Sequence, residues 1–463
     1  MLFCLCTANR RRSPAGLGAS DSGRSSYTLN SVRSVLCFLI LAATVSLCVR
    51  GAEKPLLSGN RFVYGSRREG RQVALTTDQM SAPQVALVTF GPGRVYWERF
   101  GHNAIIVDDE SAGTRIAYNY GVFDFEEKHF LLNFALGHMH YSLDAEPIDE
   151  ELAPYVAEGR SVTVQTLNLR GEQARQLAAF LAWNAQPQNA DYRYDYLVNN
   201  CSTKVRDALN RVLGGAIERQ LARRPAPHTY RFDAVRLISP DFWLALGMDM
   251  GFGPKADRPL TLWQEGFVPV VLSRALRDVA VRGTNGGTLP LVSDEEVVLP
   301  GTLPAAPAAP RDLRLPFLAI GTAFGTLLLW LARRSGRAHR ASFGLSAVAW
   351  WLICGLSGFV LAGLWGLTDH WAAWDNENLL PLNPLCLVLP VVWWRAPRIA
   401  CYLVTLIAAA AVISLVIRTL PGLYQGNLAF IALAVPVHLV LAALSWRQRS
   451  VAAVAAVGDV PLV

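Results

Sequence analysis

Cys201 and His102 are the two residues from which chemistry can be argued. Between the apolar run that ends at Val49 and the apolar stretch that begins at Pro316, Cys201 is the only cysteine. An exported domain usually pairs its cysteines or lacks them, so one thiol there reads as reactive. Its neighbours, Asn199-Asn200-Cys201-Ser202-Thr203, open a helical pattern that continues through Val205 and Leu209 to Gly214-Gly215. A thiol in the first turn of a helix meets the positive end of the peptide dipoles, which favours the thiolate. An inert cysteine would sit instead on the apolar face of its element. Upstream, Phe100-Gly101-His102-Asn103 enters an apolar strand and offers a base. A thiol and an imidazole together do acyl chemistry: the ring takes the thiol proton and later protonates the leaving group.

The elements that must position this pair read as one mixed α+β domain over residues 83–282. Apolar strands are expected over 84–90, 103–107, 115–120 and 161–169, the second and third joined by the turn Asp108 to Gly113. A helix is expected over 172–183, with Ala174, Leu177, Phe180 and Leu181 on one face. The Cys201 helix turns Val205, Leu209, Val212 and Leu213 inward. Residues 270–281 form an amphipathic helix, and both a surface position and a membrane-surface position fit it. Residues 283–315 lack periodicity, include the Pro/Ala run 304–310 and read as a linker.

Charge is concentrated before Arg314, and long apolar runs follow it. Five spans are expected, over 316–332, 343–367, 379–394, 399–417 and 427–446, the third short and proline-rich. Arg333 to Arg340, Arg395 to Arg398 and Arg447 to Arg449 fall on alternate turns, which the positive-inside rule places in the cytoplasm with the tail 447–463. Residues 1–52 form a basic leader with an apolar core over 35–49, a signal peptide or an uncleaved anchor. The leader independently puts the Cys201 domain outside. The formal net charge of +7 therefore comes largely from membrane-flanking arginines, and nucleic-acid binding is a poor reading of it.

The chain order, a strand histidine first and a helix-start cysteine later, reverses the papain order. It resembles the permuted NlpC group, which includes the lecithin:retinol acyltransferase type. In that group a polar residue on the next strand orients the histidine. Asn119 in Tyr118-Asn119-Tyr120-Gly121 is the natural candidate and Tyr118 its rival, because strand alternation alone does not decide which faces His102. Closer still, Phe100-Gly101-His102, Tyr118 to Phe125, Gly137 with Tyr141, Glu158-Gly159-Arg160, Tyr192 to Tyr196 with Asn200 to Thr203, and Thr229-Tyr230-Arg231 resemble the periplasmic domain of the Lnb-type bacterial lipoprotein N-acyltransferases. Thr368-Asp369-His370, Asn376-Glu377-Asn378 and Leu382-Asn383-Pro384 resemble that family's five-helix membrane domain. The resemblance runs from about Pro83 to Trp446. It implies a permuted papain-like domain ahead of five membrane helices, with Cys201 and His102 as the catalytic pair. It further implies an acyl chain moved from phospholipid, through a Cys201 thioester, to the N-terminal amine of a diacylglyceryl lipoprotein at the bacterial inner membrane, with no cofactor.

Asp369, His370, Asn376 and Asn378 fall in an outer loop, where solvated polar residues and a lining for lipid head groups or the acceptor amine weigh equally. His138 and His140 share a strand face but have no third ligand nearby, so no metal is expected. His129, His228, His339 and His438 carry no local signal. Asp195 among tyrosines suits structural hydrogen bonding as well as a third catalytic role. Two other classes compete with the transferase. One is a cysteine amidase acting on cell-wall or protein substrates, which a five-span membrane domain exceeds. The other is a non-catalytic assembly or lipid-binding protein, which an intact Cys/His pair disfavours.

Overall fold

A computed structural model describes residues 82–458. The leader and its possible signal or anchor lie outside the described residues. Two compact units emerge. One runs to Ile238 and resumes over Pro259–Pro307, and the other takes Ser239–Arg258 and the chain from Ala308 on.

The first unit is built on an antiparallel sheet. In chain order it contains β1 (Gln84–Phe90), β2 (His102–Asp109), β3 (Thr114–Val122), α1 (Phe130–Leu136), β4 (His140–Pro147), α2 (Ile148–Glu158), β5 (Val162–Leu167), α3 (Gly171–Asn184), β6 (Asp191–Arg193), α4 (Cys201–Val212), α5 (Ala216–Leu221) and α6 (Tyr230–Ile238). After the excursion into the second unit, which holds α7 (Phe242–Gly251), come α8 (Leu262–Glu265), α9 (Pro269–Leu276), β7 (Ala280–Arg282), β8 (Thr288–Pro290) and β9 (Val292–Leu299). Seven strands order as β6-β4-β3-β2-β1-β5-β9, and β7 pairs β8 separately.

The central strands are covered on both faces, which is why β1 reads as a nearly continuous apolar run rather than an alternation. Val85, Leu87, Ile105, Val107, Tyr118 and Tyr120 face Leu177 and Leu181 of α3, Val205 and Leu209 of α4, and Leu272 and Leu276 of α9. Ala86, Val88, Phe90, Ala104, Ile106 and Ala117 face Ile148 and Tyr155 of α2. Period two along each strand separates the two sets.

Two expectations change here. The linker expected over 283–315 contributes β8 and β9, and β9 pairs along β5 from Val162↔Leu299 to Leu167↔Val292. Its sequence, with Asp294, Glu295 and Glu296 at the centre, lacks strand alternation because β9 is an exposed sheet edge. The helix expected over 270–281 ends at Leu276. Its apolar face closes the sheet core, so its amphipathicity is that of an ordinary packed helix.

The second unit contains α7 and then α10 (Arg314–Arg333), α11 (Arg337–Leu367), α12 (Leu389–Arg395), α13 (Pro397–Ile417) and α14 (Leu428–Gly458). Among the described residues four stretches are long and apolar enough to cross a membrane: Arg314–Arg333, Arg337–Leu367, Pro397–Ile417 and Leu428–Arg447. The span expected over 379–394 is not one helix. It is broken into 3-10 turns at Glu377–Leu379 and Pro384–Val388 followed by the short α12. Pro381, Pro384 and Pro390 remove backbone donors, so a continuous α-ladder cannot form. His438 of α14 bonds the Pro381 carbonyl at 2.9 Å and ties the broken segment to its neighbour. α14 runs past the expected boundary at Trp446 to Gly458.

Candidate active site

Cys201 is the first residue of α4 and is buried. The helix start is fixed by a reciprocal cap. Asn200 Oδ1 accepts from the Thr203 N–H at 2.9 Å, and Thr203 Oγ1 accepts from the Asn200 N–H at 2.8 Å. The Asn200 amide also donates to the carbonyls of Tyr196 and Phe267, at 3.1 and 2.9 Å. Ser202 donates to the Gly266 carbonyl at 2.6 Å and accepts from Asn103 Nδ2 at 3.0 Å. The Asn103–Ser202 bond ties the first turn of α4 to β2, one residue after His102.

His102 opens β2 and is fully buried. It follows Gly101, whose φ of 78° and closeness to the Phe90 carbonyl, 2.6 Å from any Cβ, demand glycine. The imidazole is held parallel to Phe90 and Tyr155, with centroids 6.0 and 6.4 Å away. Its Nε2 bonds Asn119 Oδ1, which leaves Nδ1 for the thiol. Burial alone would depress the imidazole pKa. The charge of the nearby Cys201 outweighs that, with help from Glu151 and Asn119, and the pKa is raised. An interaction that favours imidazolium favours its thiolate partner as well.

Between the two open positions of the expectation, Asn119 is the residue on His102. Tyr118 lies on the opposite face, paired with Ile105 and packed in the α4-side core. A bulge separates Tyr120 from Val122 in the β3–β4 pairing. Gly121 occupies it at φ 98°, and a Cβ there would stand 3.6 Å from Cys201 Cβ and 3.9 Å from the Tyr192 hydroxyl. The bulge thus lets the strand pass close beside the thiol.

One residue of the site was missed. Asn119 Nδ2 donates to Glu151 Oε2 at 2.7 Å, and Glu151 is only 3% exposed. Its burial, opposed by the attraction of His102, lifts its pKa to about 7. In sequence Glu151 belongs to the acidic first turn Asp149-Glu150-Glu151, which reads as ordinary complement to the helix dipole. The available signal was its place between Ile148 and Tyr155, on the buried face of α2.

Asp195 accepts from the Leu197 and Val198 N–H groups at 2.8 and 3.0 Å and shapes the turn ahead of α4. His138 and His140 are exposed. His228, without a local sequence signal, meets Glu265 at 3.0 Å and Asp233 at 3.6 Å. Arg236 binds the same Asp233 oxygen through two nitrogens at 2.7 Å, so this cluster carries its own counter-charge.

The outer-loop residues gather in the second unit. Asn376 Nδ2 donates to the carbonyls of Met250 and Gly251 at 3.0 and 2.9 Å, and Asn378 Nδ2 to that of Met250 at 2.9 Å. Gln425 donates to the Phe252 carbonyl and to Asn376 Oδ1, both at 3.0 Å. The amides of Asn376 and Asn378 therefore cap the C-terminal end of α7. His370 is buried beside them in the chain, and Asp369 is exposed.

A buried thiol and imidazole on an α+β sheet unit, in one chain whose described residues include four membrane-length helices, define a multi-pass membrane protein with a Cys/His site. The chain belongs to the Lnb-type family: residues 71–239 match the Lnb N-terminal periplasmic domain and residues 315–450 the Lnb transmembrane domain. No curated protein and no solved structure matches it at a significant level.

Proposed function

We propose that the protein is a cysteine-dependent acyltransferase of the bacterial inner membrane, with a permuted papain-like catalytic domain in the periplasm. The observation that carries this reading is the ordered chain Cys201–His102–Asn119 at the start of a capped helix. The Cys201 thiolate attacks the ester carbonyl carbon of a phospholipid. As the carbon–oxygen bond breaks, His102 protonates the departing lysophospholipid, and the acyl group stays on sulfur. The α-amine of a diacylglyceryl lipoprotein then attacks the thioester, His102 takes the amine proton, and the thiolate leaves. The N–H groups of the first turn of α4 are the natural donors to the oxyanion.

The membrane unit would make five crossings. Gln425 and Asn376 bond each other, so both lie at one end of the unit. α13, at 21 residues or about 31 Å, separates Pro397 from that end by a full hydrocarbon thickness. The broken segment from Leu380 to Arg395 must therefore descend the same distance. In the outer loop the amides of Asn376 and Asn378 frame the loop. Asp369, exposed at its edge, and His370 remain the groups through which it would receive a lipid head group or the acceptor amine.

Intact mass of the purified full chain after exposure to phospholipid tests the reading. An acyl adduct is expected, absent in Cys201→Ala, and discharged by a diacylglyceryl lipopeptide faster than by water. His102→Ala should slow adduct formation by about 10²–10⁴-fold. Discharge by water alone would make the protein a hydrolase, and no adduct at all would remove the enzymatic reading.

A further inference from the structure

We propose that Glu151 is a positioning residue of this site: through the Asn119 amide it fixes the imidazole tautomer that leaves Nδ1 able to take the Cys201 proton, and its carboxylate favours the charged ring. The inference rests on the reading of Cys201 and His102 as the reacting pair, and it adds a residue that the family motifs quoted above do not contain.

The argument is one of donors and acceptors. An asparagine amide has two ends and cannot by itself choose which one to present to a histidine. Glu151 chooses. An ionised carboxylate only accepts, so it must meet Asn119 Nδ2, and the 2.7 Å bond is of that kind. Asn119 Oδ1 is then forced towards His102. An oxygen there only accepts, so Nε2 must carry a proton. In the neutral ring Nδ1 is consequently the basic nitrogen, and with Nε2 taken by Asn119 it is the one left to serve the thiol. Two hydrogen bonds thus transmit the charge state of a carboxylate to the choice of imidazole tautomer. A protonated Glu151 could donate to Asn119 Oδ1 and allow the amide to flip. Nε2 would then accept from Nδ2, and Nδ1–H would point at the thiol, unable to take its proton.

The packing keeps this arrangement from relaxing. α2 places Glu151 on its buried face with Ile148 and Tyr155, against the β2–β3 surface that carries His102 and Asn119. Tyr155 stacks on Phe90 at 3.6 Å, and the Arg160 guanidinium lies over the Tyr155 ring, 4.6 Å from its centroid. The groups that face the carboxylate are His102 of β2 and Tyr155 of α2, which favour its charge, Glu146 of β4, which opposes it, and Asn119 of β3, which bonds it. Balanced between these, Glu151 titrates near neutrality, within the range in which the enzyme would work.

The test reads the thiol directly and needs no acyl substrate. Iodoacetamide alkylation of Cys201 in the full chain is followed against pH by intact mass, in the wild type, Glu151→Gln, Glu151→Asp and Asn119→Ala. Glutamine fills the same space and can present either end to Asn119, so orientation is no longer enforced. The expected result is that the acidic limb of the alkylation profile moves up by about one pH unit or more in Glu151→Gln. Acyl transfer should fall at least about tenfold, less than the loss of His102 itself would cause. Glu151→Asp, which keeps the charge, should restore part of the profile. The double variant Glu151→Gln with Asn119→Ala should be no worse than Asn119→Ala alone, because both act through one path. If Glu151→Gln does not fold, the Glu151→Asp and Asn119→Ala profiles decide. An unmoved profile in folded Glu151→Gln, or in folded Asn119→Ala, would overturn the proposal. A moved profile in a protein that acylates no lipopeptide would leave Glu151 in place and remove the transferase reading instead.

Discussion

A single buried carboxylate shows how the site trades stability for chemistry. Glu151 carries its proton to about pH 7 in the folded protein, against an ordinary value of 4.5, chiefly because burial penalises its charge. The sign follows. Between the two values the native state holds a proton that the unfolded chain has released, so raising the pH across that window destabilises the fold. Below pH 4 both states are protonated, and above pH 8 both are ionised. Glutamine does not titrate, so Glu151→Gln should gain stability relative to the wild type as the pH rises from 4 to 8, by up to roughly 3 kcal/mol. Thermal melting of the two full-length proteins across that range checks it. A constant difference would mean that the carboxylate is not buried in its charged form. The expected combination, a more stable protein with an impaired thiol, is the signature of a residue kept for function rather than for folding.

At the scale of elements, the start of α4 decides whether Cys201 is a nucleophile or merely a core residue. Asn200 satisfies three groups at once: the Thr203 N–H and the carbonyls of Tyr196 and Phe267. Asn200→Ala removes the cap and leaves two buried carbonyls poorer, at a cost of about 2–4 kcal/mol. The melting transition of the full chain should fall accordingly, and a loss below about 0.5 kcal/mol would mean that the cap does not hold the helix start. This element was legible in sequence because its signals are local: a capping residue, a helical apolar period and a terminating glycine pair. Strands β1 to β3 were legible for the same reason, with ends off by one or two residues. What could not be read depends on distant partners. β9 is a strand only because β5 offers an edge, and its acidic centre suits the solvent side of that edge. Tyr118 and Asn119 could not be separated because the choice belongs to the face on which α2 and α4 pack. Glu151 was invisible because an acidic first turn is common. Only the contact with Asn119, 32 residues away in the chain, gives it a role.

At the scale of the whole molecule, the segment Ser239–Arg258 constrains how the chain meets the membrane. It leaves the sheet unit after Ile238, joins the second unit and returns at Pro259. Leu246 and Met250 of α7 pack on the core of the long helices. The Gly253 N–H bonds the Ala372 carbonyl at 2.8 Å, and Lys255 pairs with Asp375 at 3.0 Å. α7 has 10 residues, about 15 Å, and cannot cross a bilayer of roughly 30 Å. Both ends of the excursion, Ser239 and Arg258, must therefore stay on the side where Asp375 lies. α10 and α11 are each long and apolar enough to span the hydrocarbon and are joined at Arg334 to Gly336; two such crossings place that turn on the other side, as its arginines require. Cysteines introduced singly at Ser111, Asp375 and Ser335, all exposed, test this with a membrane-impermeant maleimide. The labelling is done in Cys201→Ala, which removes the reactive thiol; Cys354, Cys386 and Cys401 are buried and should give little background. Ser111→Cys and Asp375→Cys should label from outside intact cells whose outer membrane has been opened. Ser335→Cys should label only after the inner membrane is also breached. Labelling of Ser335→Cys from outside, with Ser111→Cys protected, would invert the protein and move Cys201 away from the compartment in which a lipoprotein presents its amine. Labelling of Ser111→Cys and Asp375→Cys from opposite sides would require the excursion through α7 to cross the membrane, which its length forbids.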